Sequence, residues 1–516
     1  MPMSTDAHPT PKPQETPPLA WRPLGSKTLP PGAEMLEQTL ADVRQKIYAR
    51  SVMGVFARWR IALVIFTQVL FYGLPWLNWN GRQAVLFDLG ARKFYIFDMV
   101  LWPQDVIYLT LLLIISALGL FLFTAIAGRL FCGYACPQTV YTEIFMWIER
   151  KVEGDRVARI RLDESPFSLR KFRIKATKHA LWILVAFWTG FSFIGYFAPI
   201  RGLATDLMAF ALGPWQWFWL VFYSFATWGN AGFLREQVCK YMCPYARFQS
   251  VMVDRDTLVV TYDHGRGEPR GARSKKIDHR AQGLGDCVDC SICVQVCPTG
   301  IDIRQGLQYM CIGCGACVDA CNQVMEKVEY PTGLIRYTSE RGMLEKLTPQ
   351  AIRKNLFRPR VLIYSVLMLL LVAIFVGALA TRTTLRVDII RDRGMLGREV
   401  AGGFIENVYR IQLINASEAP LVLSLGVEGV PGMTVALADR GAVALNQTGQ
   451  KASVAQSTAH IDVPSASNRL IAVVVKAPAE GATPGPHPIR FVTKSLGPDG
   501  AVLTEINEAS SFIFPN

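Results

Sequence analysis

Runs of about 20 apolar residues, the length an α-helix needs to cross a bilayer core, recur at Ile61 to Trp79, Val106 to Ala127, Ala180 to Ala198, Trp215 to Phe233 and Val361 to Ala380. About five membrane helices are therefore expected. Gly73 and Pro75 interrupt the first of them. After Ala380 the pattern changes to short alternations of polar and apolar positions, as in Val408 to Ile414, Leu421 to Leu425 and Leu470 to Val475, punctuated by Gly and Pro. Alternation with a period of two predicts strands, here an antiparallel all-β sandwich of seven or eight. The first forty residues are polar and rich in Pro, without the apolar centre of a cleavable signal peptide. Residues 1–46 are expected to be disordered.

Lysine and arginine orient the spans. Arg44, Lys46, Arg50, Arg58 and Arg60 precede the first, and the segment between the second and third carries a dense series from Arg129 through Lys178. Both belong in the cytoplasm. The loop with Arg82, Arg92 and Lys93 is balanced by Asp88, Asp98 and Asp105, and the loop at Arg201 and Asp206 is nearly neutral, so these face outward. An odd number of spans leaves the segment between spans four and five in the cytoplasm and the tail in the periplasm. The implied organisation is membrane helices one to four over 47–250, a cytoplasmic module over 251–345, a linker and fifth helix over 346–382, and the periplasmic sandwich over 383–516. Composition agrees with this partition. The 516 residues are 51% hydrophobic, too apolar for an ordinary soluble chain, and make the lipid bilayer a partner. The net charge of +13 reflects topology, and no basic stripe with interleaved aromatics suggests nucleic acid.

All 12 cysteines lie between Cys132 and Cys321, which suits thiolate ligands in a reducing compartment. Eight form two C-x2-C-x2-C-x3-C runs: Cys287, Cys290, Cys293 and Cys297, followed by Pro298, then Cys311, Cys314, Cys317 and Cys321. Bacterial two-cluster ferredoxins use this spacing for a pair of [4Fe-4S] clusters, the fourth cysteine of each run ligating the other cluster. Cluster A would take Cys287, Cys290, Cys293 and Cys321. Cluster B would take Cys297, Cys311, Cys314 and Cys317. Gly313, Gly315 and Ala316 leave room for backbone N–H groups to approach the sulfides. Zinc is the alternative for Cys-x2-Cys pairs, and eight cysteines in this order weigh against it. The second run ends in Asn322 where ferredoxins usually have Pro.

The other four cysteines form a repeat. Cys132-Gly-Tyr-Ala-Cys136-Pro137 follows span two, and Cys239-Lys-Tyr-Met-Cys243-Pro244 follows span four. Were the helices to run through each motif, the i,i+4 spacing would put both sulfurs on one face, and the pairs could offer four soft thiolates to one metal ion or cluster, with Met242 as an added thioether. Such sites suit Cu(I), zinc or iron–sulfur chemistry; small residues capping a helix before Pro are the plainer alternative. His179 sits beside Lys175 and Lys178, as an interfacial side chain would. The other histidines lie outside the spans, so a bis-histidine haem within the bilayer is not expected.

Together, Ile47 to Val52, the Phe131 to Pro137 motif, its partner ending Cys243-Pro244, the twin ferredoxin runs and the strand-rich tail resemble the cytochrome c oxidase accessory protein family known as CcoG, FixG or RdxA. The resemblance covers the chain from about Ile47. It implies an inner-membrane protein that assists assembly of a cbb-type haem–copper oxidase and reduces Cu(II) to Cu(I), and an immunoglobulin-like fold for the periplasmic sandwich. The partners then expected are a cytoplasmic electron donor, a copper transporter or chaperone, and oxidase assembly factors. On that basis Cys132, Cys136, Cys239 and Cys243 would be the redox and copper site. Copper itself is not visible in the sequence, which has no His-rich or Met-rich tract. A quinol-linked electron carrier like NapH, and a non-enzymatic redox sensor or assembly scaffold, are the competing assignments.

Overall fold

The computed structural model describes residues 46–273, 281–391, 397–437, 458–480, 483–497 and 499–515. The N-terminal segment expected to be disordered lies outside them up to residue 45. Apolar helices occupy all five expected positions: Val55–Gly73, Val106–Ala127, Leu169–Ile194, Pro214–Gly229 and Pro359–Ala380. Three of these, taken with adjoining turns as Val55–Trp76, Pro103–Ala127 and Pro359–Ala380, are long and apolar enough to cross a membrane. Leu169–Ile194 opens with a cluster of basic side chains, and Pro214–Gly229 has only 16 residues. Length and composition therefore establish three spans of the expected five.

The first helix begins at Val55, ahead of the expected Ile61, because a distant carboxylate caps it. Asp319 accepts the backbone N–H groups of Phe56 and Ala57 at 3.3 and 2.8 Å, satisfying donors that a helix start leaves unpaired. The helix ends where Pro75 converts it to a single tight turn, Leu74–Trp76.

The chain forms two units. One comprises residues up to Ile61, Thr124–Lys178 and Phe233–Asn355, and holds every cysteine. Its centre is the antiparallel pair Val259–Tyr262 and Ile335–Thr338, packed with helix Ala316–Val328 through Val260, Tyr262, Val318, Met325 and Ile335. Helix Pro137–Glu153 buries Glu149 and Glu153. Arg159 and Arg235 reach Glu149 at 3.0 and 2.7 Å, while Lys175 and Lys178 reach Glu153 at 2.8 and 3.0 Å. Removing one partner from such a buried pair typically costs about 3–5 kcal/mol.

The second unit comprises Ala62–Phe123, His179–Gly232 and Leu356–Asn516. Its tail is a sandwich. One sheet runs in the order Thr434–Leu437, Ser467–Pro478, Phe404–Asn415, Leu385–Arg391, with the short strand Arg398–Val400 beside Phe404–Asn415. The other runs Thr458–Val463, Leu421–Glu428, Gly485–Leu496, Val502–Phe514. The expected strands around Val408, Leu421 and Leu470 are all present, and Arg398–Val400 carries the described total to nine, above the expected seven or eight. Tyr409 and Phe491 meet between the sheets with ring centroids 5.0 Å apart. The loop after the first span, which sequence marked only as charge-balanced, folds into a three-stranded sheet of Val85–Asp88, Lys93–Ile96 and Met99–Leu101. Beyond it, buried Asp105 pairs with Arg382 at 2.7 Å and Arg386 at 2.6 Å.

Candidate metal centres

The two ferredoxin runs fold into matching loops. Asp289 and Ser291 in the first, and Gly313 and Gly315 in the second, occupy equivalent places flanking the middle cysteine, and all four have positive φ, between 52° and 72°. Successive left-handed turns of this kind point backbone N–H groups inward as an anion-binding nest. Glycine takes the conformation without strain in the second run. At Gly315 there is a further reason, since a Cβ there would lie 2.8 Å from the Phe56 ring.

Each loop walls one cavity. Cys287, Cys290, Cys293 and Cys321 line one, and Cys297, Cys311, Cys314 and Cys317 line another. The fourth cysteine of each run thus stands with the first three of the other run, the grouping that the crossed ligand pattern requires. Cys293 borders both cavities. Among the described residues no three His, Cys, Asp or Glu side chains are already gathered as the ligands of a single metal ion, neither at these cavities nor at the paired motifs. Four sulfurs around a cavity with inward N–H groups fit a cubane. Asn322 has a local role in place of the usual Pro: helix Ala316–Val328 continues through it, and its side chain accepts the Gly333 N–H at 2.9 Å.

The paired motifs depart from the expected continuous helices. Leu130–Tyr134 ends before Cys136, which is extended (φ −63°, ψ 128°) and precedes helix Pro137–Glu153; Cys243 is likewise extended (φ −77°, ψ 112°) ahead of Pro244–Met252. Proline is the cause, because its ring disfavours helical geometry in the residue before it. Both motifs consequently have one shape, with the first cysteine in a helical turn and the second in the break. Their four sulfurs form one electrostatic neighbourhood, in which Cys132 feels Cys136 and Cys239, and Cys243 acts on Cys136 and Cys239. All four are partly buried. Met242 is 61% exposed and does not share that burial.

Burial, with the Cys136 sulfur adding to it, pushes the Cys132 thiol up to about 12 and the Cys239 thiol to about 11, against a smaller opposing pull from Arg129. Bare, these groups are protonated thiols, and a bound metal must displace the protons. Fully buried Gln249 accepts a weak hydrogen bond from the Cys132 thiol at 3.6 Å. Nothing in the sequence marks it beyond its position in the helix that follows Cys243. His179 packs edge-on to Trp182 and Trp228, in keeping with a side chain at the end of a span.

Apolar helices of membrane-crossing length joined to two cavities lined by crossed sets of four cysteines define a membrane-bound iron–sulfur redox protein. Among family models, a 4Fe-4S dicluster domain matches residues 234–340, which hold both ferredoxin runs with Cys239 and Cys243, a 4Fe-4S binding domain matches residues 109–153, which hold Cys132 and Cys136, and the IG-like fold at the C-terminus of FixG matches residues 375–515. The nitrogen fixation protein FixG of Rhizobium meliloti is 38% identical over 77% of this chain and 82% of its own length. Protein RdxA of Cereibacter sphaeroides is 35% identical over 92% of this chain and 99% of its own. The ferredoxin-type protein NapH of Haemophilus influenzae is 24% identical over 42% of this chain and 68% of its own. The chain belongs to the FixG/RdxA family.

Proposed function

We propose that this protein is a cupric reductase of the bacterial inner membrane, supplying Cu(I) for assembly of a cbb-type cytochrome c oxidase. The cysteine-bearing unit would face the cytoplasm and the sandwich the periplasm. The two cubanes, held by the sets Cys287, Cys290, Cys293, Cys321 and Cys297, Cys311, Cys314, Cys317, supply one-electron redox chemistry when bound. Cu(II) is the substrate: it takes one electron to become Cu(I), and a low-potential cytoplasmic donor replaces that electron. The paired-motif cysteines would hold the copper, since thiolates favour the soft Cu(I) product. Cu(I) would then pass to a copper transporter or chaperone, with the sandwich serving as a docking surface for assembly factors.

The observation that carries the proposal is the common neighbourhood of Cys132, Cys136, Cys239 and Cys243 in the unit that also contains both cluster cavities. A quinol-linked carrier is the competitor, supported by similarity to NapH over part of the chain; the C-terminal sandwich favours the cupric reductase. Anaerobic, dithionite-reduced full-length protein, freed of excess reductant and mixed with Cu(II) and a Cu(I)-specific chelator, is expected to yield about one Cu(I) per electron stored. If a quinone reoxidises the protein while Cu(II) does not, the carrier is the better assignment. If neither does, the clusters act as sensors.

A further inference from the structure

The two cavities are not equivalent toward the paired motifs. Gly133, inside the Cys132 to Cys136 motif, lies directly on the loop that walls the second-run cavity. A Cβ at Gly133 would lie 2.7 Å from the Ile312 carbonyl oxygen, 2.9 Å from the Cys314 Cα and 3.0 Å from its nitrogen. These are backbone atoms that cannot swing aside, so glycine is required for the approach. The two segments meet again just ahead of the motif, where a Cβ at Gly313 would lie 3.3 Å from the Arg129 carbonyl carbon. Cys132 belongs to the same apolar cluster as Ile312, Cys314 and Ala316. Tyr337 donates to the Gly313 carbonyl, and its hydroxyl stands 3.5 Å from that of Tyr134. The Arg129 guanidinium covers the Tyr309 ring at 4.5 Å, a further tie between the two segments. The first-run cavity is placed differently, with Cys290 exposed to solvent where none of the second-run set is.

We infer that Gly133 and the Tyr134–Tyr337–Gly313 chain make the Cys297, Cys311, Cys314, Cys317 cavity the electron exit to the paired motifs, with the Cys287, Cys290, Cys293, Cys321 cavity as the entry. Gly133 and Tyr337 are positioning residues. One electron leaves the exit cluster for Cu(II), giving Cu(I), and a reduced cytoplasmic carrier restores it through the entry cluster. The inference rests on the proposed metal site at the paired motifs, and its test separates the two.

Co(II), paramagnetic and not reduced under these conditions, serves as the probe. Bound at the paired motifs of the dithionite-reduced protein, it is expected to speed the spin relaxation of the exit cluster more than that of the entry cluster, the two signals being assigned from Cys297→Ser and Cys321→Ser proteins. Equal relaxation of both, or stronger relaxation of the entry cluster, would overturn the inference while leaving the metal site in place. Failure of Co(II) to develop a thiolate charge-transfer band would remove the site and the inference together. Gly133→Ala should weaken the Co(II) effect and slow reoxidation by Cu(II), by up to about a hundredfold for a misplacement of about 1 Å, with iron content unchanged. Tyr337→Phe provides a second variant without added bulk, expected to change in the same direction by less. Wild-type relaxation and reoxidation rates in both variants would also overturn the inference.

Discussion

A Cys321→Ser protein is expected to lose the cluster of Cys287, Cys290 and Cys293 while keeping the one in the second-run cavity, with iron falling from about eight to about four per chain. The effect crosses between runs: Cys321 is four residues after Cys317 in sequence, yet it lines the cavity of the first run. Cys297→Ser should do the converse, removing the cluster framed by Cys311, Cys314 and Cys317. Oxygen ligation by serine is weaker for iron than thiolate, so the loss should be large but local. Iron analysis with EPR of the reduced variants checks both. Loss of the second-run cluster alone in Cys321→Ser would contradict the crossed grouping.

The second large effect concerns the paired motifs. Replacing Cys132 and Cys136 by Ser should lower Cu(II) reduction on the order of a hundredfold or more, and so should replacing Cys239 and Cys243, since removing even a partner behind a metal ligand costs about 10–100-fold. The quadruple variant should be little worse than either pair, because residues that act as one unit are strongly non-additive. The basis is the electrostatic influence that links each thiol of one pair to a thiol of the other. Rates and Cu(I) affinity would be measured with the ferredoxin cysteines intact and the iron content verified. Unchanged turnover in the quadruple variant would eliminate the site. Clean multiplication of the two pair losses would mean two separate sites.

Much of this was legible in the sequence because it is local. The spacing of the two ferredoxin runs anticipated which cysteines share a cavity, since the ligand geometry of a cubane is encoded within a few residues. Long apolar runs located the helices and period-two alternation located the sandwich strands. What escaped detection depends on distant partners or on very short elements. The start of the first helix is set by Asp319, 262 residues from Ala57, and no local pattern announces such a cap. The sheet formed by residues 85–101 is built from strands of three and four residues, shorter than an alternation pattern can establish. The positive φ of Asp289 and Ser291 is hidden because neither is glycine; only their equivalence to Gly313 and Gly315 would have exposed it. The helix breaks at Cys136 and Cys243 follow from Pro137 and Pro244, whose rings disfavour helical geometry in the preceding residue, so of the two sequence alternatives the helix that stops before Pro describes the backbone and the continuous i,i+4 helix does not.

The central claim, that this is a two-cluster iron–sulfur redox protein, is tested most directly by iron and sulfide analysis combined with EPR on anaerobically purified, dithionite-reduced full-length protein. Two cavities that share Cys293 as a border predict about eight iron and eight sulfide per chain, with a spectrum broadened by coupling between two reduced [4Fe-4S] clusters. About four iron per chain, or stoichiometric zinc without acid-labile sulfide, would contradict it.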